Sequence, residues 1–192
     1  MLEIERRFLI ALPLTWYAKF KLLSCKKTNI RQVYLKNKPD APIKTSHTRL
    51  RCQEFSGGNG STLIRYTQTT KNFVSPGINE EIEFEITQKQ YIDELQRCDF
   101  SKRIIHKTRY VIPFSGKKFE LDIYKADLEA LATMEVELDQ LDEPICLPHY
   151  FDVIQEITGI EKYSNYGLAS MSNYELPKLA ALVSRQNKME IT

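Results

Sequence analysis

Glu81–Ile86 reads EIEFEI, and its strict alternation decides the fold class. Successive side chains of a strand point to opposite faces, which puts Glu81, Glu83 and Glu85 on one face and Ile82, Phe84 and Ile86 on the other. The same period recurs on both sides of it. In Leu2–Phe8, Glu3, Glu5 and Arg7 share a face, with Leu2, Ile4 and Phe8 opposite beside Arg6. Arg31–Leu35 (RQVYL) reads as a second strand, and Thr48–Gln53 sets Arg49 and Arg51 in front of Leu50 and Cys52. Leu63–Lys71 lines up Arg65, Thr67, Thr69 and Lys71, and Ile104–Ile112 carries Lys107 and Arg109. Phe119–Tyr124 opposes Glu120 and Asp122 to Leu121 and Ile123, and Thr133–Asp139 opposes Glu135 and Glu137 to Val136 and Leu138. About eight strands result, the number that closes a small barrel.

Helical spacing is rarer. Thr87–Cys98 opens on a capping Thr and spaces Tyr91, Ile92 and Leu95 at helical intervals. Pro13–Leu23 and Glu175–Arg185 are expected amphipathic helices, and Ala126–Leu131 a short helix or turn. Pro148–Thr158 is expected to be a helix, from a Pro near its first turn to Gly159 after its last. Residues 36–48 read as loop, 186–192 as a frayed end, and Ser56–Gly60 (SGGNG) as a turn with no Lys-Ser/Thr after it, hence not a P-loop. Trp16 and Tyr17 are expected to pack a surface helix on the barrel, and Lys26 and Lys27 to form a solvated turn. His106 falls on the strand face opposite Lys107 and is expected to be structural. The class is α+β, an antiparallel barrel with flanking helices.

Composition narrows the partners. The 192 residues, 42% hydrophobic and 27% charged, suit one globular domain. The net charge of +2 gives no bulk attraction to a nucleic acid polymer or to anionic lipid, so an anion must be held by a local cluster. No apolar run approaches the ~18 residues that span a bilayer, and no membrane association is expected. Cys25, Cys52, Cys98 and Cys146 lie far apart, which fits free thiols and a cytoplasmic location better than disulfides or zinc. The three histidines, with no nucleophile motif, argue against a hydrolase triad.

The charged faces are sorted by sign. An antiparallel sheet commonly shows water one polar face, but such a face mixes signs. Here the strands around Glu3, Glu83, Asp122 and Glu135 are acidic, and those around Arg49, Lys71 and Arg109 are basic. Crowded carboxylates repel until a cation neutralises them, and oxygen-only ligation favours Mg²⁺ or Mn²⁺. Crowded guanidinium groups are relieved by a polyanion, whose phosphate oxygens arginine grips bidentately. The pattern alone leaves two readings standing, a solvated sheet face and a metal–polyphosphate site.

LEIERRFL at residues 2–9 resembles the E-x-E-x-K opening of the CYTH domain, the triphosphate tunnel metalloenzyme superfamily. The likeness runs in order through RQVYL, RLR, Thr69-Thr70-Lys71, EIEFEI, KTRY, FELDIY, MEVEL and YSNYGLA, over about residues 2–169. It implies an eight-stranded antiparallel barrel enclosing a charged tunnel, with residues 1–170 as the tunnel domain and 171–192 as its helical extension. It also implies a divalent-metal-dependent triphosphatase, with inorganic tripolyphosphate preferred. Alternatives are a class IV adenylate cyclase, for which the sequence offers no adenine pocket, and a non-catalytic polyphosphate- or nucleotide-binding module.

Carried over residue by residue, the resemblance assigns metal ligation to Glu3, Glu5, Glu83, Glu85, Asp122, Glu135 and Glu137. It gives phosphate binding to Arg49, Arg51, Lys71 and Arg109, and places Lys162 at one tunnel end. Lys107, Arg7 and Tyr34 become the catalytic candidates. Glu81 is placed on the rim. Arg7 stands where the family usually has Lys, a permanent cation in place of a tunable one. The extra segments before RQVYL and after Ala169 are expected to cap a tunnel mouth or mediate self-association.

Overall fold

The computed structural model describes residues 1–37, 46–56 and 60–189. Its strands are β1 (Leu2–Ile10), β2 (Lys26–Leu35), β3 (Ser46–Ser56), β4 (Thr62–Ser75), β5 (Ile78–Ile86), β6 (Ile105–Phe114), β7 (Lys117–Tyr124), β8 (Ala132–Glu137) and β9 (Val153–Glu156). They run antiparallel in the order β5-β4-β3-β2-β6-β7-β8-β1, and β5 pairs back onto β1. The eight strands therefore close. The short β9 pairs with β1 at Phe8–Ile10, where β5 has already left it.

The helices are α1 (Trp16–Leu22), α2 (Gln88–Glu94), α3 (Asn165–Ser170) and α4 (Leu176–Met189). Thr87 caps α2 through a capping box, accepting from the Gln90 backbone while Gln90 reaches back. A single 3₁₀ turn, Leu95–Arg97, follows it.

Three apolar clusters wrap the barrel. Phe8, Ile10, Phe119, Leu121, Met134 and Val136 face outward and are covered by Ala18 and Leu22 of α1 and by Phe151. Val33, Leu35 and Leu50 lie under Tyr91 of α2. The third cluster plugs one end: Leu9, Tyr34, Ile105 and Tyr124 meet Tyr163, Leu168 and, from α4, Leu179 and Val183. Because β1 alternates, Leu9 continues the face of Glu3, Glu5 and Arg7. The inward face thus passes from carboxylate to cation to core.

The structure corrects several readings. Pro148–Thr158 is not a helix: Pro148 opens a tight turn closed by the Phe151 N–H, and Val153–Glu156 pair with β1. The ladder with β1 outweighs a weak helical signal in a β-branched segment. Gly159 is no helix cap, because a Cβ there would lie 2.4 Å from Pro76; it lets two turns touch. Lys26 and Lys27 belong to β2, opposite Val111 and Tyr110. Trp16 does not pack on the barrel; it is 76% exposed and stacks on Phe20, because α1 turns Ala18 and Leu22 inward. Helical turn at Ala126–Leu131 is confined to a 3₁₀ turn at Ala126–Leu128. His47 and Thr48 join β3, and α4 continues to Met189. Residues 38–45 of the expected loop, 57–59 of SGGNG and 190–192 of the tail lie outside the described residues.

Candidate functional site

The inward faces meet in one ion-pair network. Arg7 donates through Nε and Nη2 to Glu135 Oε2 (3.1 and 2.6 Å) and through Nη2 to Glu5 (3.2 Å). Arg109 donates to both Asp122 oxygens at 2.7 Å, to Glu135 Oε1 at 2.5 Å, and to Glu120. Lys107, with its side chain fully buried, holds Asp122 at 2.5 Å and lies 3.4 Å from Asn165 Oδ1. Lys71 pairs with Glu3 (2.5 Å), Glu81 (3.5 Å) and Glu5 (3.7 Å), and Arg49 with Glu81 at 3.2 Å.

Arg51 is the least neutralised cation. Its nearest carboxylate, Glu83, stands 3.8 Å away and already accepts from Thr69 at 2.6 Å. Burial, with Arg49 and Arg109 close by, lowers its pKa to about 10. For Arg7 burial also opposes the charge, but Glu5 and Glu135 outweigh it and raise the pKa above the ordinary value. Burial resists ionisation of Glu135 too, and Arg7 and Arg109 overcome it and hold the carboxyl well below the usual range. Burial and the nearby guanidinium groups bring Lys107 down to about 7 against the pull of Asp122.

A cavity of about 460 Å³ opens where this network meets the plugged end. Glu5, Arg7, Arg49 and Lys71 reach it, together with Tyr34, His47, Phe73 and Tyr166. His47 stacks on Tyr166 with ring centroids 4.5 Å apart, and Tyr34 meets both edge-on. Burial between Arg49 and Lys71 pushes the His47 pKa down to about 4, so the ring is neutral at physiological pH. Gly77 shapes the rim: it sits at φ +78°, accepts from the Glu5 N–H, and leaves no room there for a Cβ.

The acidic mouth lies toward the other end. Burial and the charges of Glu3, Glu135, Glu5 and Glu81 raise the pKa of Glu137. Glu137 has no cationic partner among the described residues. No three His, Cys, Asp or Glu side chains among the described residues stand ready-made around a cation. The carboxylates are instead turned toward the barrel's own cations, and Glu137 alone of the mouth group is left uncompensated.

Of the residues expected at the site, all but Glu85 and Lys162 enter or adjoin this network. Glu85 pairs with Arg65 at the exposed rim, and Lys162 is exposed over the Tyr163 ring, away from the cavity lining. Glu81, expected on the rim, is inside. Lys107 and Asp122 are buried and do not line the cavity. Gln32, Glu120, Thr69 and Asn165 join the network although the sequence reading assigns them no site role. Gln32 and Glu120 share strand faces with Tyr34 and Asp122, a period-two signal that finds both.

No family model matches the chain, and no curated protein does. Among solved structures it is similar to the inorganic triphosphatase NE1496, at 28% identity over 88% of this chain and 95% of that one, with a TM-score of 0.55. The chain carries the triphosphate-tunnel fold. A second structure of NE1496 gives 28% identity and a TM-score of 0.54. The PH1819 protein from Pyrococcus horikoshii shares the fold at 16% identity, covering 95% of this chain and 86% of that one, with a TM-score of 0.51. The inward-facing charge network thus fills a barrel similar to that of an inorganic triphosphatase. No helix among the described residues is long and apolar enough to cross a membrane.

Proposed function

We propose that the protein hydrolyses inorganic tripolyphosphate with the help of Mg²⁺ or Mn²⁺ held at the acidic mouth. The observation that carries this is the undercompensated Arg51, together with Arg49 Nε, a buried donor with no hydrogen-bond partner. A buried unpaired donor costs about 1–3 kcal/mol, and a phosphate oxygen is the acceptor that both groups lack.

The metal follows from charge balance. Among the described residues, and apart from the rim pair Glu85–Arg65, eight carboxylates (Glu3, Glu5, Glu81, Glu83, Glu120, Asp122, Glu135, Glu137) and six cations (Arg7, Arg49, Arg51, Lys71, Lys107, Arg109) face inward. A bare polyanion meets a net negative interior and is repelled, whereas one carrying divalent cations is not. The donor set fits a hard cation, all oxygen and with Glu137 uncompensated. Glu3, Glu5, Glu81 and Glu137 would hold it. Bound there it supplies charge neutralisation and a more acidic water.

The chain's own residues do the rest. Arg49, Arg51, Lys71 and Arg109 grip the phosphates, and Asp122 and Glu135, each held by two cations, keep Arg109 aligned. Arg7 keeps its proton throughout and acts as a fixed charge. Lys107 balances Asp122. A second reading is favoured by the His47–Tyr166 stack on the cavity wall, which suits a triphosphate bearing an aromatic base such as ATP.

Purified protein is expected to release phosphate from tripolyphosphate with Mg²⁺ or Mn²⁺ and to fall silent in EDTA. Faster turnover of ATP than of tripolyphosphate favours the second reading, with cyclic AMP as product marking a cyclase. Binding of these compounds without turnover of any leaves only a binding module.

A further inference from the structure

Gln32 belongs to no expected site, yet it is completely buried inside the barrel. It lies on β2 opposite Arg51 of β3, two residues before Tyr34 and on the same face. Arg51 Nε donates to Gln32 Oε1 at 2.9 Å, and Gln32 Nε2 donates to Tyr34 Oη at 2.8 Å. The direction of both bonds is forced. A guanidinium can only donate, so the carboxamide oxygen must face Arg51 and its NH₂ must face Tyr34.

Two consequences follow. Arg51 has its Nε committed, which fixes the plane of the fork and leaves the terminal nitrogens for a ligand. Tyr34 receives a hydrogen bond from Gln32, and the charged groups around it are Arg49, Arg51 and Arg7, none of which accepts. Its own proton therefore has no acceptor in the amide or in these guanidinium groups, and Tyr34 lines the cavity.

We infer that Gln32 is a positioning residue that sets hydrogen-bond polarity in the tunnel, aligning Arg51 and making Tyr34 a donor toward a phosphate oxygen. This rests on the tunnel binding a triphosphate. Gln32→Met keeps length and removes both bonds. Gln32→Glu keeps the acceptor for Arg51 but turns the Tyr34 proton inward, toward the new carboxylate.

The test combines arginine side-chain NMR with tripolyphosphate binding and turnover on the full-length protein. In the parent, the Arg51 Nε–H is expected to exchange slowly with solvent; Gln32→Met should lose that protection and Gln32→Glu retain it. Gln32→Met is expected to weaken tripolyphosphate binding roughly 10- to 100-fold, the loss of aligned charge-assisted contacts. Gln32→Glu should lower kcat as Tyr34→Phe does, and the double variant should be no slower than the worse single one. Full protection and unchanged affinity in Gln32→Met overturn the inference. If Gln32→Met does not fold, a fast-exchanging Arg51 Nε–H in the parent overturns it as well. A parent that neither binds nor hydrolyses tripolyphosphate overturns the functional reading instead, and the exchange data still judge the role of Gln32.

Discussion

Glu135→Gln is expected to lower the melting temperature sharply, and tripolyphosphate is expected to restore part of the loss. Glu135 is the shared anion between Arg7 and Arg109, with both guanidinium groups within 2.6 Å of its two oxygens. The amide preserves volume but strands two buried cations, and breaking such a pair costs about 3–5 kcal/mol. A typical domain has only ~5–15 kcal/mol of stability in all. An added polyanion supplies the missing negative charge, and its stabilising effect should be larger in the variant than in the parent. Thermal melts of both proteins in Mg²⁺, with and without tripolyphosphate, measure this. A variant that melts with the parent means that the network is not the one described.

Glu137→Gln is expected to do the reverse to stability while removing activity. Burial and four neighbouring carboxylates disfavour its charge, so its folded pKa lies above the unfolded one. The sign follows from linkage: such a group gives its full stabilisation below the unfolded pKa and loses it as pH rises through the folded pKa. At neutral pH, without metal, the ionised carboxylate therefore opposes folding, and the amide relieves the repulsion. The metal-free variant should melt at or above the parent at pH 7, with the difference fading in acid. Turnover in limiting Mg²⁺ should nevertheless drop, on the order of 100-fold, the scale of a weakened metal site. A variant that loses both stability and activity would make Glu137 an ordinary structural residue.

The barrel was legible because its signal is period two. Every strand from β1 to β8 appears in the alternation of residues such as Glu81–Ile86 and Phe119–Tyr124, and closure follows from the strand number. β9 escaped because four residues pairing only with Phe8–Ile10 of β1 leave almost no local mark, and Pro148 and Gly159 serve tight turns as readily as helix ends. Face assignment predicts which side chains enter the barrel but not how deep. Glu81 and Glu85 are equivalent in sequence, yet the pairing of Lys71 with Glu81 and of Thr67 with Glu85 puts one in the network and the other near the rim. Gln32 was missed for a different reason. A neutral amide carries no charge pattern, and its role exists only once β2 and β3 are in register.

The central claim is that a triphosphate enters this tunnel only together with divalent metal. Calorimetric titration of tripolyphosphate into the protein, in Mg²⁺ and again in EDTA, tests it most directly. Because inward carboxylates outnumber inward cations, binding in Mg²⁺ is expected to be at least tenfold tighter, about 1.4 kcal/mol or more. Equal affinity in the two buffers would contradict it.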